Sequence, residues 1–128
     1  MTQTKIKLDD VWTGSHVSAV LKAASVVLVV DATNALATLS PQPGRQSVVV
    51  TRKSMLSSQM IKTIQPDAVV GPLISEDWDI VDLGLELEAL GYRGDLFVVT
   101  KPLPRAELVI REVGAVCRGL TVHLLEKG

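Results

Sequence analysis

With 128 residues, the chain is long enough for one domain with a substantial core. Hydrophobic residues make up 47% and charged residues 21%, a balance that excludes a disordered chain. A net charge of −1 supplies no field for nucleic acid, and 3% aromatic residues leave few rings for base stacking. No apolar stretch follows Met1 to Lys5, so a signal peptide is not expected. Ser15 caps a predicted helix that carries Val17, Val20, Leu21 and Ala24 on one stripe. Ser25 to Val30 is a continuous valine-rich run, which reads as a fully buried first strand. Ala32 to Leu39 allows about two helical turns before Pro41-Gln42-Pro43-Gly44 ends them. Gln46 to Thr51 is the second strand.

Ser54 caps the next predicted helix, which runs to Ile64 with Met55, Leu56, Met60, Ile61 and Ile64 on one side, and Pro66 stops it. Ala68 to Leu73 is the third strand. Glu76-Asp77-Trp78-Asp79 places acids at a helix amino terminus, and Trp78 is expected to fold back onto the domain. The helix from Asp79 to Leu90 repeats Ile80, Leu83, Leu87 and Leu90, and Gly91 ends it. Asp95 to Thr100 is the fourth strand. Leu103 to Val116 is the last helix, with Pro104 in its first turn, Val109, Ile110, Val113 and Val116 inward, and Glu107 facing Arg111 one turn on. Leu120 to Leu125 is the fifth strand.

Five short apolar runs without hairpin signals require crossover connections. The expected fold is therefore α/β, a three-layer α/β/α domain of the flavodoxin-like type with a five-stranded parallel sheet. It occupies residues 1–128 as one unit, with an extension and helix over 1–24 and a core over 25–125. No helix is expected after the fifth strand. The leading helix is expected to cover the face that a final helix would occupy, either in its own chain or by exchange with a partner.

Chemistry in such sheets sits at the carboxyl ends of the strands. There the chain offers Asp31, Gly71, Thr100 and Lys101. An acid, a hydroxyl and an ammonium could hold a small anion, which gives the reading of a ligand-binding domain or enzyme built on Asp31, Thr100 and Lys101. Asp31 is the single candidate metal ligand, and one carboxylate does not hold a hard cation tightly, so no metal or other cofactor is expected. His16 and His123 have no neighbour at zinc-ligand spacing, and alternation along the fifth strand predicts a surface or edge position for His123. The single cysteine, Cys117, is expected to be a buried, inert thiol, and a chain with no possible internal disulfide suits a reducing compartment. The glycines form neither a dinucleotide fingerprint nor a phosphate loop. The longest apolar run, Val26 to Val30, is too short to span a membrane, and the expected location is the cytoplasm.

Several segments resemble the receiver domain of bacterial response regulators. They are Val26 to Asp31, Ser54 to Gln65 running into Pro66-Asp67-Ala68-Val69-Val70, Asp82 to Leu87 with Leu90-Gly91-Tyr92, and Phe97-Val98-Val99-Thr100. The resemblance implies that the phosphoacceptor aspartate would fall at Gly71 and the switch hydroxyl at Thr100. It reduces the paired magnesium acids to Asp31 followed by Ala32. Lys101-Pro102 is similar to the lysine-proline pair of that family, but it follows strand four rather than strand five. Aspartyl phosphorylation needs a carboxylate nucleophile and a metal. The resemblance therefore implies a non-enzymatic pseudo-receiver that works as a phosphorylation-independent protein-interaction module in signalling. Its vestigial site would be Asp31, Gly71, Thr100 and Lys101. Its docking surface would be Arg105, Arg111, Arg118 and His123 on the last helix and strand, with homodimerisation expected and neither nucleic acid nor membrane as partner. Phosphorylation at a displaced Ser75 or Asp77 is a further reading.

Overall fold

A computed structural model of the chain describes residues 21, 23–32 and 46–126. Residues 33–39 of the helix predicted over 32–39, most of the leading helix and His16 lie outside the described residues. The elements in order are β1 (Val26–Val30), β2 (Ser47–Thr51), a 3-10 turn (Lys53–Met55), α1 (Ser58–Ile64), β3 (Ala68–Pro72), α2 (Ile80–Ala89), β4 (Asp95–Thr100), α3 (Ala106–Val116) and β5 (Thr121–Glu126). All five strands are parallel, in the order β2-β1-β3-β4-β5. This is the flavodoxin-like order, and its direction reverses between β1 and β3.

The pleat sorts the strand residues into two cores. Leu28, Val30, Val69, Leu96, Val98, Val122 and Leu124 face one side. There they meet Ile61 of α1, Ile80, Leu83 and Leu87 of α2, and Ile110 and Val113 of α3. Val27, Val29, Val70, Phe97, Val99 and Leu125 face the other side, where Leu21 and Ala24 pack against them. Leu21 and Ala23 are helical, and Leu21 is 5% exposed. The described end of the leading helix therefore lies on the face opposite the three later helices. Gln46 ties it there, donating from Nε2 to the carbonyls of Leu21 (3.0 Å) and Ala24 (2.8 Å). At the amino ends of the strands, Asp67 Oδ2 accepts from the backbone N–H groups of Ser25 and Val26 at 2.9 and 3.0 Å, pinning β1 to β3.

The helix starts depart from expectation in two places. Ser54 does not cap α1. It sits in the 3-10 turn, which brings Leu56 into the core, and the helix restarts at Ser57, whose Oγ accepts from the Met60 N–H at 3.1 Å. α3 begins at Ala106, three residues later than expected. The Leu103 N–H is held instead by Glu126 Oε2 at 2.9 Å, so Pro104 precedes the helix. Inward positions then fall at Ala106, Ile110, Val113 and Cys117, and Val116 is 44% exposed rather than inward. α2 follows the sequence closely. Asp79 caps it, Asp82 returns the bond to the Asp79 N–H at 3.0 Å, and Gly91 takes a φ of 94° just beyond its end. Trp78 packs against the first core as expected. Among the described residues Glu107 and Arg111 form no ion pair.

Cys117 is fully buried against α2. Burial, with a smaller contribution from the Glu88 carboxylate, pushes its thiol up from 9.0 to about 11. The folded state then holds this proton more tightly than the unfolded chain. The resulting stability is complete below pH 9 and is lost as pH climbs towards 11. At pH 8 the thiolate population falls about 100-fold below that of the unfolded chain. Iodoacetamide should therefore label Cys117 at least that much more slowly in buffer than in denaturant. Equal rates would contradict the buried thiol.

Candidate functional site

The carboxyl edge of the sheet is built by five strand tips. β1 ends at Val30, and Asp31 follows with φ 51°, a left-handed conformation that aspartate tolerates. Its N–H still donates to Thr51 O at 2.9 Å, while Oδ2 accepts from the Lys53 N–H at 3.0 Å. The carboxylate therefore holds the turn after β2 rather than capping its own. Lys53 in turn reaches Glu86 of α2, with Nζ 3.1 Å from Oε1.

Gly71 is not the open tip position that the sequence suggested. It is buried, pairing with Val98 on the face that meets α2. A Cβ added there would lie 2.5 Å from Leu83 Cδ2 and 3.6 Å from Ile80 Cδ1. Because Val29 pairs with Val70, the residue level with Asp31 on β3 is Pro72, which carries no titratable group. Register explains the difference. A shift of one residue turns a tip position into a core position.

Thr100 and Lys101 follow the β4 tip, where Thr100 Oγ1 donates to Lys101 O at 3.0 Å and Lys101 is exposed. The cleft that Asp31 lines does not include them. An open, polar cleft of about 620 Å³ instead places Asp31, Arg52, Lys53 and Ser54 on one wall, with Ser75, Glu76, Asp77 and Trp78 opposite. It lies where the strand order reverses, the usual ligand position in such sheets. Ser75 and Asp77 thus share the cleft with Asp31. Among the described residues, no three His, Cys, Asp or Glu side chains form a group that could hold a metal ion. Arg52 and Lys53 escaped the sequence reading because two cations after a strand carry no signal until the turn is placed.

Of the proposed docking residues, Arg105, Arg111 and Arg118 are exposed. Leu108 and Val116, at 42% and 44% exposure, add apolar surface on α3. His123 does not belong with them. It is 6% exposed, stacked on Phe97 with ring centroids 4.5 Å apart, and its Nε2–H donates to Asp95 Oδ1 at 2.9 Å. Alternation predicted a surface or edge position; β5 is indeed an edge strand, but the His123 ring itself is covered. At the bottom of α2, Tyr92 is also buried and donates to Asp95 O at 2.6 Å. Burial foremost, then the Asp95 and Asp67 carboxylates, raises its phenol far above the usual range.

No protein-family model matches the chain, nor does any curated protein sequence. Among solved structures it is similar to a two-component response regulator of the LuxR family from Aurantimonas sp. SI85-9A1. The TM-score is 0.52 at 16% identity, over 80% of this chain and 74% of that one. At that identity the likeness is one of fold. The chain has the flavodoxin-like receiver fold.

Proposed function

We propose that this protein is an atypical receiver-fold module that works in bacterial signal transduction by binding protein partners, without aspartyl phosphorylation. The observation that carries the reading is the β3 tip. Gly71 has its side-chain space filled by Leu83, and Pro72 stands level with Asp31. Among the described residues, a phosphoryl group would find no carboxylate nucleophile at the β3 tip and no group of acids to hold magnesium. On this reading the protein is not an enzyme, needs no cofactor and works in the cytoplasm. Its partner-binding face is the exposed side of α3, with Arg105, Arg111 and Arg118 around Leu108 and Val116, which suits a partner carrying carboxylates beside apolar side chains. Homodimerisation belongs to the same reading.

The test is an amide NMR titration with magnesium and beryllium fluoride, a mimic of aspartyl phosphate. No shifts are expected at Asp31, Gly71, Thr100 or around Ser75 and Asp77. Saturable shifts at these positions would overturn the reading. The cleft at Arg52 and Lys53 favours one other reading, a small ligand-binding domain. Inorganic phosphate or a carboxylic acid would then shift the Arg52 and Lys53 amides, and Arg52→Ala would abolish the effect.

A further inference from the structure

The two edges of the sheet are unlike. β5 is an edge strand, yet Val122 to Leu125 are all buried. β2 is the other edge, and none of its five residues is buried although three are valine. Val50 is 44% exposed, while its ladder neighbour Val29 is fully covered. Soluble proteins blunt open edges with lysine, proline, bulges or a covering segment. Ser47-Val48-Val49-Val50-Thr51 contains no charge and no proline, and it pairs with β1 without interruption.

The ladder identifies the backbone groups that point away from β1. The Ser47 N–H donates to Ser25 O at 2.8 Å, and Thr51 O accepts from the Asp31 N–H at 2.9 Å. Along a strand these groups alternate between the two sides, so Ser47, Val49 and Thr51 face β1. Val48 and Val50 direct their N–H and C=O groups outward, where they bond none of the described residues.

We propose that β2 pairs antiparallel with β2 of a second copy across a two-fold axis at Val49, joining the two sheets into one. The inference rests on the homodimer reading above and names its surface. The strand is self-complementary in this register. Val48 lies opposite the partner's Val50, and such a pair exchanges both of its N–H···O bonds. The axis repeats the pair, so every outward group of Val48 and Val50 is satisfied. Val49 faces its own copy as a non-hydrogen-bonded pair, and Ser47 faces Thr51, hydroxyl to hydroxyl. A two-fold contact needs only one patch that complements itself, which this strand provides.

Sedimentation of the full chain over a concentration series tests the proposal. Val50→Pro removes one outward donor from each copy and takes nothing from the β1 ladder, since the Val50 N–H points away from it. It should raise the dimer dissociation constant by about tenfold or more. Val50→Lys, which leaves every backbone donor in place, should weaken the dimer in the same direction, and circular dichroism checks that both variants fold. Val49→Cys should oxidise to a covalent dimer across the axis, whereas Val50→Cys, which faces Val48, should not. A dimer that both Val50 variants leave unchanged, with no Val49→Cys disulfide, would overturn the β2 assignment and leave homodimerisation standing. A monomer at every concentration would overturn both.

Discussion

Gly71→Asp is expected to destabilise the fold by about 3 kcal/mol or more and to create no phosphoacceptor. Two effects add. The new Cβ meets Leu83 Cδ2 at 2.5 Å, so α2 must give way or Leu83 must leave its rotamer. Overpacking of this kind costs about 1–3 kcal/mol. The carboxylate then lies among Leu83, Ile80 and Val30, where a charge lacks both water and a partner. Gly71→Ala separates the two effects, because it carries the steric part alone and should cost about 1–2 kcal/mol. Urea denaturation of the wild type and both variants gives the stabilities. Titration of the aspartate variant with magnesium and beryllium fluoride gives the chemistry. An aspartate variant as stable as the wild type, or one that binds the mimic, would mean that the β3 tip is an open site after all.

Phe97→Ala should cost about 3–5 kcal/mol. Phe97 is fully buried at the centre of the second face, between Val70 on β3 and His123 on β5. Truncation removes its contacts and leaves a cavity. It also strips the stacking partner from the His123 imidazole, whose Nδ1 is already buried without a hydrogen bond among the described residues. The effect should appear as a lower denaturation midpoint with an unchanged slope, since the surface exposed on unfolding barely changes. Phe97→Leu keeps most of the volume and should cost about 1.5 kcal/mol or less. A small effect of Phe97→Ala would mean that the second face is less closely packed than the burial of Phe97 indicates.

The fold was legible because its signals are local and repeated. Continuous apolar runs such as Val26 to Val30 and Leu96 to Val99 have one comfortable environment, the middle of a parallel sheet. Asp79 and Gly91 bracket α2 because a carboxylate satisfies free N–H groups at one end and glycine accepts a positive φ at the other. The site was less legible. Ser54 and Ser57 are equally good caps, and only the docking of Leu56 selects the second. Alternation predicted a surface or edge position for His123, but the stack on Phe97 and the bond to Asp95 that enclose its ring join residues distant in sequence.

The sequence by itself determined the class of fold, the inert thiol at Cys117 and the lack of a carboxylate at the end of β3. Composition, periodicity and capping act over a few residues, and those features need no more. The tertiary structure alone decided that Gly71 points at Leu83 rather than into a cleft. It also decided that Asp31 serves the Lys53 N–H, that Asp31 shares its cleft with Arg52 and Lys53, and that β2 is an edge strand with no buried residue. Each of these depends on the register between strands and on which element lies across from it. Such pairings join residues tens of positions apart, and no local pattern encodes them.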